Sequence, residues 1–228
     1  PEGSTLFFVA AADLPDLFGQ VEENRGEPQI ASLVVNDSDE PTPGQVVDLG
    51  LSVKWAGWDI GSSNPEEPGD LFAWGETQTK SEFTEENYSL MDDDEIMGHK
   101  TATGLNGAHR SIAFCSLDDI SATQYDTARA KWGSSWRMPT VTETTELINN
   151  CAQKNITYKG QNGVLFTGPN GNKVFMPVTE NDDYWTSTFE DVSRFTANGM
   201  SWSTSKAQFA KKSRIRVYYG LRVRAVCD

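Results

Sequence analysis

The 228 residues include 19 Gly, 10 Pro and seven Trp, with 37% hydrophobic and 11% aromatic side chains. That composition excludes a disordered or fibrous chain and supplies the core of one large domain or two small ones. Against 19 basic residues stand 33 acidic ones, a formal charge of −14, so phosphate backbones and anionic lipid are repelled and nucleic acid is not an expected partner.

The charge is uneven: residues 1–100 hold 22 acidic and 4 basic side chains, whereas residues 101–228 hold 11 and 15. No apolar run reaches the roughly 18 residues of a membrane-crossing helix, and Pro1-Glu2-Gly3-Ser4 does not open a signal peptide, so a trimmed chain without a spanning segment is expected.

Residues 1–45 read as an N-terminal strand and linker segment that belongs with a preceding domain. Leu6–Val9 and Ile30–Val35 have strand character, and the run Asp37-Ser38-Asp39-Glu40-Pro41-Thr42-Pro43-Gly44 reads as a linker. A boundary near Gly44 leaves 46–228 as the main domain. Val47, Leu49, Leu51, Val53 and Trp55 then alternate with polar or small neighbours, which predicts one half-buried strand from about Val46 to Ala56. A turn-rich loop at Asn64–Asp70 leads to the apolar Leu71–Trp74, and residues 76–119 predict a long irregular excursion.

Ser121 with Gln124 has capping-box spacing before Tyr125, Ala128 and Trp132, predicting a helix that stops at Gly133. Thr140 with Glu143 repeats the device and predicts a second helix to about Ala152, with Leu147, Ile148 and Cys151 facing inward. Trp136-Arg137-Met138-Pro139 joins the two. Beyond Val164 the period becomes two: Val164–Thr167 and Lys173–Pro177 flank Gly168-Pro169-Asn170-Gly171-Asn172, a hairpin signal. Tyr184–Thr188 and Gly199–Ser203 predict further strands. A last strand from Tyr218 to Val226 sets Tyr219, Leu221, Val223 and Ala225 on one side and Tyr218, Arg222 and Arg224 on the other. Helices followed by antiparallel strands give an α+β order.

Catalytic patterns are sparse. His99 and His109 have neither a Gly-x-Ser-x-Gly partner motif nor metal-ligand spacing. Acid pairs such as Glu66/Glu67 and Asp92/Asp93 carry no specificity in so acidic a chain. The three cysteines, Cys115, Cys151 and Cys227, allow at most one intramolecular disulfide.

Five segments in order resemble a known family: Val47-Asp48-Leu49-Gly50-Leu51-Ser52-Val53-Lys54-Trp55-Ala56, Gly69-Asp70 through Trp74-Gly75-Glu76-Thr77, Trp132-Gly133 with Trp136-Arg137-Met138-Pro139-Thr140, Tyr184-Trp185-Thr186-Ser187, and Tyr219-Gly220-Leu221-Arg222-Val223-Arg224-Ala225-Val226-Cys227. They are similar to the paralogous-domain family of Bacteroidetes and Fibrobacter surface proteins, related to domains with a C-type-lectin-like fold. The resemblance covers roughly residues 46–228. It implies an α+β domain of two helices and a mainly antiparallel sheet with long irregular loops, its first and last strands paired. It also implies a secreted or outer-membrane, cell-surface-anchored protein.

The expected function is a non-catalytic binding or adhesion module for a carbohydrate or surface protein. A structural or pilus-like assembly subunit, contacting neighbouring domains or pilus subunits, is the alternative. Formylglycine-generating oxidases share the fold family, and Gly220-Leu221-Arg222-Val223 echoes one of their segments, but such an oxidase needs a reactive cysteine pair. Relatives commonly carry Cys where this chain has Trp58, which leaves Cys115 as the candidate unpaired thiol. Cys151 and Cys227 are expected to form a disulfide tying helix to sheet, the alternative being two buried free thiols.

Trp55, Trp74, Trp132, Trp136 and Trp185 lie inside the family segments and are expected in the core. Trp202, Phe195, Arg214, Arg216 and Tyr218 are the ligand-binding candidates, because aromatic rings stack on sugars and Arg forks match carboxylates; residues 189–218 are expected to present contact loops. No cofactor is expected: Asp182 and Asp183, beside the Tyr184 strand, read as a solvated acidic turn, with a calcium site as the alternative. The Glu-Pro-Asn and Gln-Pro-Asp triplets of sugar-binding relatives are absent from the sequence.

Overall fold

A computed structural model describes residues 38–92, 102–103, 109–112, 118–180, 182–191 and 195–228. The chain divides into two compact units, Pro1–Ser38 and Asp39–Asp228, and every described element belongs to the second. Thr42, ahead of the expected boundary at Gly44, bonds into that unit: its amide donates to the Lys173 carbonyl at 2.8 Å and its hydroxyl oxygen accepts from the Lys173 amide at 2.8 Å.

The architecture is α+β and mostly strand. Helices α1 (Thr127–Trp132) and α2 (Val141–Asn150) accompany three-stranded antiparallel sheets. One sheet orders β1 (Val46–Val47), β2 (Lys54–Ala56) and β12 (Val226–Cys227), with β2 central. The expected pairing of first and last strands thus takes the form of β2 against β12, Trp55 opposite Val226.

The single strand expected over Val46–Ala56 is instead a folded-back pair, with Val46 opposite Ala56 and Val47 opposite Trp55. Asp48 Oδ1 accepts from the Gly50 amide at 2.7 Å and turns the chain. The alternation still reported burial, since Val47, Leu49, Val53 and Trp55 all enter the core. Inward residues of a wide turn mimic the period of a strand.

A second sheet orders β6 (Ala152–Tyr158), β7 (Gln161–Thr167) and β8 (Lys173–Pro177). The expected β7–β8 hairpin is present, closed by Thr167 opposite Lys173. Strand β6 was not anticipated. Its turn at Lys159 and Gly160, with φ of 45° and 88°, is the doubly left-handed kind that matches strand twist.

The third sheet orders β9 (Tyr184–Asp191), β10 (Thr196–Ser203) and β11 (Gln208–Arg216). Residues 189–218 therefore supply strands where contact loops were expected. A small sheet of β3 (Met91–Asp92), β4 (Ala102–Thr103) and β5 (His109–Ile112) lies within the irregular excursion. His109 is on β5, whereas His99 and Cys115 fall outside the described residues.

The two helix starts had different fates. Thr140 and Glu143 form the expected reciprocal cap of α2: the Glu143 amide donates to Thr140 Oγ1 and the Thr140 amide to the Glu143 carboxylate. Helix α1 is capped by Asp126, not by Ser121, since Asp126 accepts from the Arg129 amide at 3.1 Å. A carboxylate aimed at a helix start is a strong acceptor there, and this one also takes the amides of Ala122 and Met138. It therefore clamps three chain segments at once.

Two hydrophobic clusters form the core, and alternation along strands feeds both. Ala56, Trp185, Ala197, Val223 and Ala225 enter the first; Trp55, Tyr184, Met200 and Val226 enter the second. Trp136, Met138, Phe72 and Trp74 fill the first cluster, and Leu147, Phe166 and Phe209 the second. Trp74 Nε1 donates to the Thr186 carbonyl and Trp185 Nε1 to the Phe72 carbonyl, each at 2.7 Å, so these donors are buried with partners.

That division explains the cysteines. Cys151 and Cys227 are free thiols, and the expected disulfide is not formed. Cys227 follows Val226 along β12 and packs against the first cluster, whereas Cys151 belongs to the second. Successive strand residues point to opposite sides, so the pleat carries Cys227 away from Cys151.

Candidate functional site

The terminal segment is held tightly and sets the geometry of an open cleft. The Leu221 and Phe72 backbones exchange two hydrogen bonds at 2.9 and 3.0 Å, and Trp185 and Asp183 bond the Arg222 backbone at 2.9 and 3.1 Å. Between this anchor and the end of β11, the Tyr219 amide donates to the Arg216 carbonyl at 3.0 Å and closes a turn. The turn leaves Tyr219 49% exposed, one of two large hydrophobic residues so placed among the described residues.

Beside Tyr219 lies an open cleft of about 800 Å³, within the usual range of ligand pockets. Its walls come from Gly69–Leu71, Thr79–Phe83, Glu180, Asp182, Asp183, Ser201, Lys212 and the 219–221 turn. Gly220 permits close approach on one side, since a Cβ there would meet the Phe83 ring at 2.5 Å. Tyr218 supports the platform from behind: its ring meets that of Tyr219 edge-on at 5.1 Å and packs against the first core cluster.

The lining is mainly anionic. Lys212 Nζ is 2.5 Å from Asp183 Oδ2, and Lys80 Nζ is 2.7 Å from Glu76 Oε2, so both ammonium groups are already engaged. Asp70, Glu82, Glu180 and Asp182 make no ion pair among the described residues. Burial, and next the charge of Asp183, push the Asp182 carboxyl above its ordinary range. Lys80 also lies 5.6 Å from the Phe83 ring centroid and 5.9 Å from that of Tyr88. The wall of the cleft thus holds an ammonium group between a carboxylate and two rings.

The residues expected to bind ligand are not brought together. Phe195 is 4% exposed and belongs to the first core cluster, so its ring is part of the core and not of a surface; its carbonyl accepts from the Val217 amide at 3.0 Å. Trp202 is half-buried on β10, its ring edge-on to Phe209 at 5.7 Å. Arg216 lies at the other end of the same strand pair, opposite Thr196, while Trp202 is opposite Phe209. Arg214 is exposed with φ of 61°, and its amide donates to the Glu190 carboxylate.

The basic face expected around Tyr218 is also absent in that form. Arg222 and Arg224 are 5% and 1% exposed, because the segment enters the core where alternation suggested a surface strand. Arg222 Nη2 donates to Thr179 Oγ1 at 2.8 Å, and Arg224 is paired with Asp59. Asp182 and Asp183 do line the cleft. Among the described residues no three His, Cys, Asp or Glu side chains are grouped to hold a metal ion, and the Lys212 ammonium pairs with Asp183 Oδ2.

The alternation of the last strand sets Tyr219 on one side with Leu221, Val223 and Ala225, yet those three are buried and Tyr219 is not. The available signal was Gly220, which interrupts that strand, together with the acidic run Glu180–Asp183. Among the described residues, no helix is long and apolar enough to cross a membrane. Compared with known proteins, the chain matches no family model, no curated protein and no solved structure.

Proposed function

We propose that residues 46–228 form a non-catalytic binding module of a secreted or cell-surface protein, built on a C-type-lectin-like plan, and that its ligand is a carbohydrate held in the Tyr219 cleft. The observation that carries this reading is the exposed Tyr219 ring beside a cleft lined by carboxylates, hydroxyls and ammonium groups. An exposed aromatic residue supplies a rigid platform at little entropic cost, and flanking polar groups match the hydroxyls of a sugar. The anchoring bonds of Leu221 and Arg222 hold the platform before ligand arrives, which limits the cost of ordering on binding. Separation of Cys151 from Cys227 into different core clusters disfavours the oxidase reading for that pair.

A glycan array read in EDTA and in calcium tests the proposal. Binding of defined sugars in both buffers, lost when Tyr219→Ala is compared at equal folding, is the expected result. Sugar binding that needs calcium, or that survives Tyr219→Ala, overturns it.

An assembly subunit is the second reading, favoured by β6. This outer strand of the β6–β7–β8 sheet has several exposed residues and borders a groove of about 430 Å³ lined by Asp39, Glu40 and residues 154–159. Exposed strand edges recruit further strands. Sedimentation that shows concentration-dependent assembly, reduced when residues 1–45 are removed, would favour it over the first.

A further inference from the structure

We infer that the Tyr219 cleft selects amine-bearing saccharides over acidic ones, an assignment that rests on the carbohydrate reading above and adds the sign of the ligand's charge. Three independent observations converge on it. The exposed Tyr219 ring offers an apolar face for a sugar ring. Around it, the side chains of Asp70, Glu82, Glu180 and Asp182 line the cleft and none forms an ion pair among the described residues, Asp182 alone feeling the more distant charges of Lys212 and Arg222, so a carboxylated sugar meets like charge on entry. On the same wall the protein already holds an ammonium group of its own: Lys80 is bound to Glu76 at 2.7 Å with the Phe83 and Tyr88 rings within 6 Å. A carboxylate combined with an aromatic face is the arrangement that binds alkylammonium ions.

The asymmetry of the cleft assigns the parts. Lys212 is tied to Asp183, which leaves Asp182 and Glu180 as the carboxylates nearest in sequence that are available to a ligand amine, while Tyr219 stacks on the ring that carries it. Like charge set against the wrong ligand contributes to specificity alongside attraction for the right one.

The test is titration calorimetry of the full chain in EDTA with three hexasaccharides: glucosamine, N-acetylglucosamine and galacturonate oligomers. Hexalysine serves as the control for adhesion of any polycation to an acidic protein. The expected result is that the glucosamine hexamer binds at least about tenfold more tightly than its N-acetylated counterpart, with no measurable galacturonate binding. Tyr219→Ala should weaken both neutral and amine-bearing sugars by about tenfold or more. Asp182→Asn with Glu180→Gln should remove only the preference between them.

Equal or tighter binding of the acetylated hexamer, still lost in Tyr219→Ala, overturns the charge selectivity and leaves the carbohydrate reading standing. Sugar binding that is indifferent to Tyr219→Ala overturns the site itself. Absence of binding by all three sugars overturns both, as does hexalysine binding that matches the glucosamine hexamer and ignores Tyr219→Ala.

Discussion

Arg224 Nε donates to Asp59 Oδ1 at 2.7 Å, and both side chains are at most 1% exposed. The remaining guanidinium donors reach the Ala56 carbonyl at 3.1 Å and the Phe175 carbonyl at 3.0 Å, while Asp59 Oδ2 accepts from the Tyr184 hydroxyl at 3.1 Å. The terminal segment is thereby bound to β2, β8 and β9, and with it the turn that carries Tyr219. Removing one partner of a buried pair leaves an uncompensated charge, which costs about 3–5 kcal/mol. Arg224→Met should therefore lower the free energy of urea unfolding by that amount. Tyr184→Phe should cost only about 1 kcal/mol, as one hydrogen bond is lost. A stability loss under about 1 kcal/mol in Arg224→Met would refute a buried ionic pair at this position.

Trp136 and Trp202 are expected to separate stability from binding in opposite senses. Trp136 is 8% exposed and edge-on to Trp132 at 5.1 Å, so Trp136→Ala should destabilise by about 3–5 kcal/mol. Trp202 covers Phe209 from a half-buried position, away from the cleft lining. Trp202→Ala should fold with a smaller loss and keep the sugar affinity of the parent chain. Calorimetric melting and titration on the same samples check both. A loss of affinity in a folded Trp202→Ala chain would move the contact surface onto β10.

Local chemistry was legible in the sequence wherever a residue answers to its immediate neighbours. The Thr140–Glu143 cap, the β7–β8 hairpin and the burial of Trp55, Trp74, Trp136 and Trp185 are of this kind. Choices decided by distant groups were not legible. Asp126, which also accepts from the Met138 amide, caps α1 in place of Ser121, and Phe195 packs into the first core cluster among residues distant in sequence. Tyr219 parts from the buried side it shares with Leu221, Val223 and Ala225 because Gly220 and the Phe72–Leu221 bonds end the alternation there. The cleft joins segments far apart in the chain, so no local pattern announced it.

The thiols offer a direct check on the two core clusters. Cys151 is buried, with its thiol pushed up to about 11 by burial and then by the charge of Glu146. Cys227 is half-buried and also shifted upward, again chiefly by burial. Since the thiolate is the reactive form, Cys151 should react with a disulfide reagent only after unfolding. The unfolding midpoint should be the same with and without reductant. A reductant-sensitive drop of several degrees, or a Cys151–Cys227 peptide in non-reducing digests, would restore the disulfide.

The Arg137–Glu143 pair gives a pH dependence of defined sign. Arg137 Nη2 lies 2.6 Å from Glu143 Oε1 and 3.2 Å from Asp228 Oδ1, while the Thr140 amide donates to Glu143 at 2.8 Å. Burial alone would raise the Glu143 carboxyl, but the guanidinium and the Thr140 donors together hold it below its ordinary value of 4.5. A carboxylate depressed in the folded state contributes stability above that value, and the contribution disappears as pH falls through the folded pKa. Because the pair is partly exposed, solvent screening limits it to about 1 kcal/mol. Glu143→Gln should therefore be less stable than the parent at pH 7, and the gap should be smaller at pH 3, as the carboxylate takes up its proton on the way down through the depressed folded pKa. Guanidinium unfolding would blur this through its ionic strength, so urea is the denaturant to use. A gap of equal size at both values would mean that the cap, and not the charge, stabilises the start of α2.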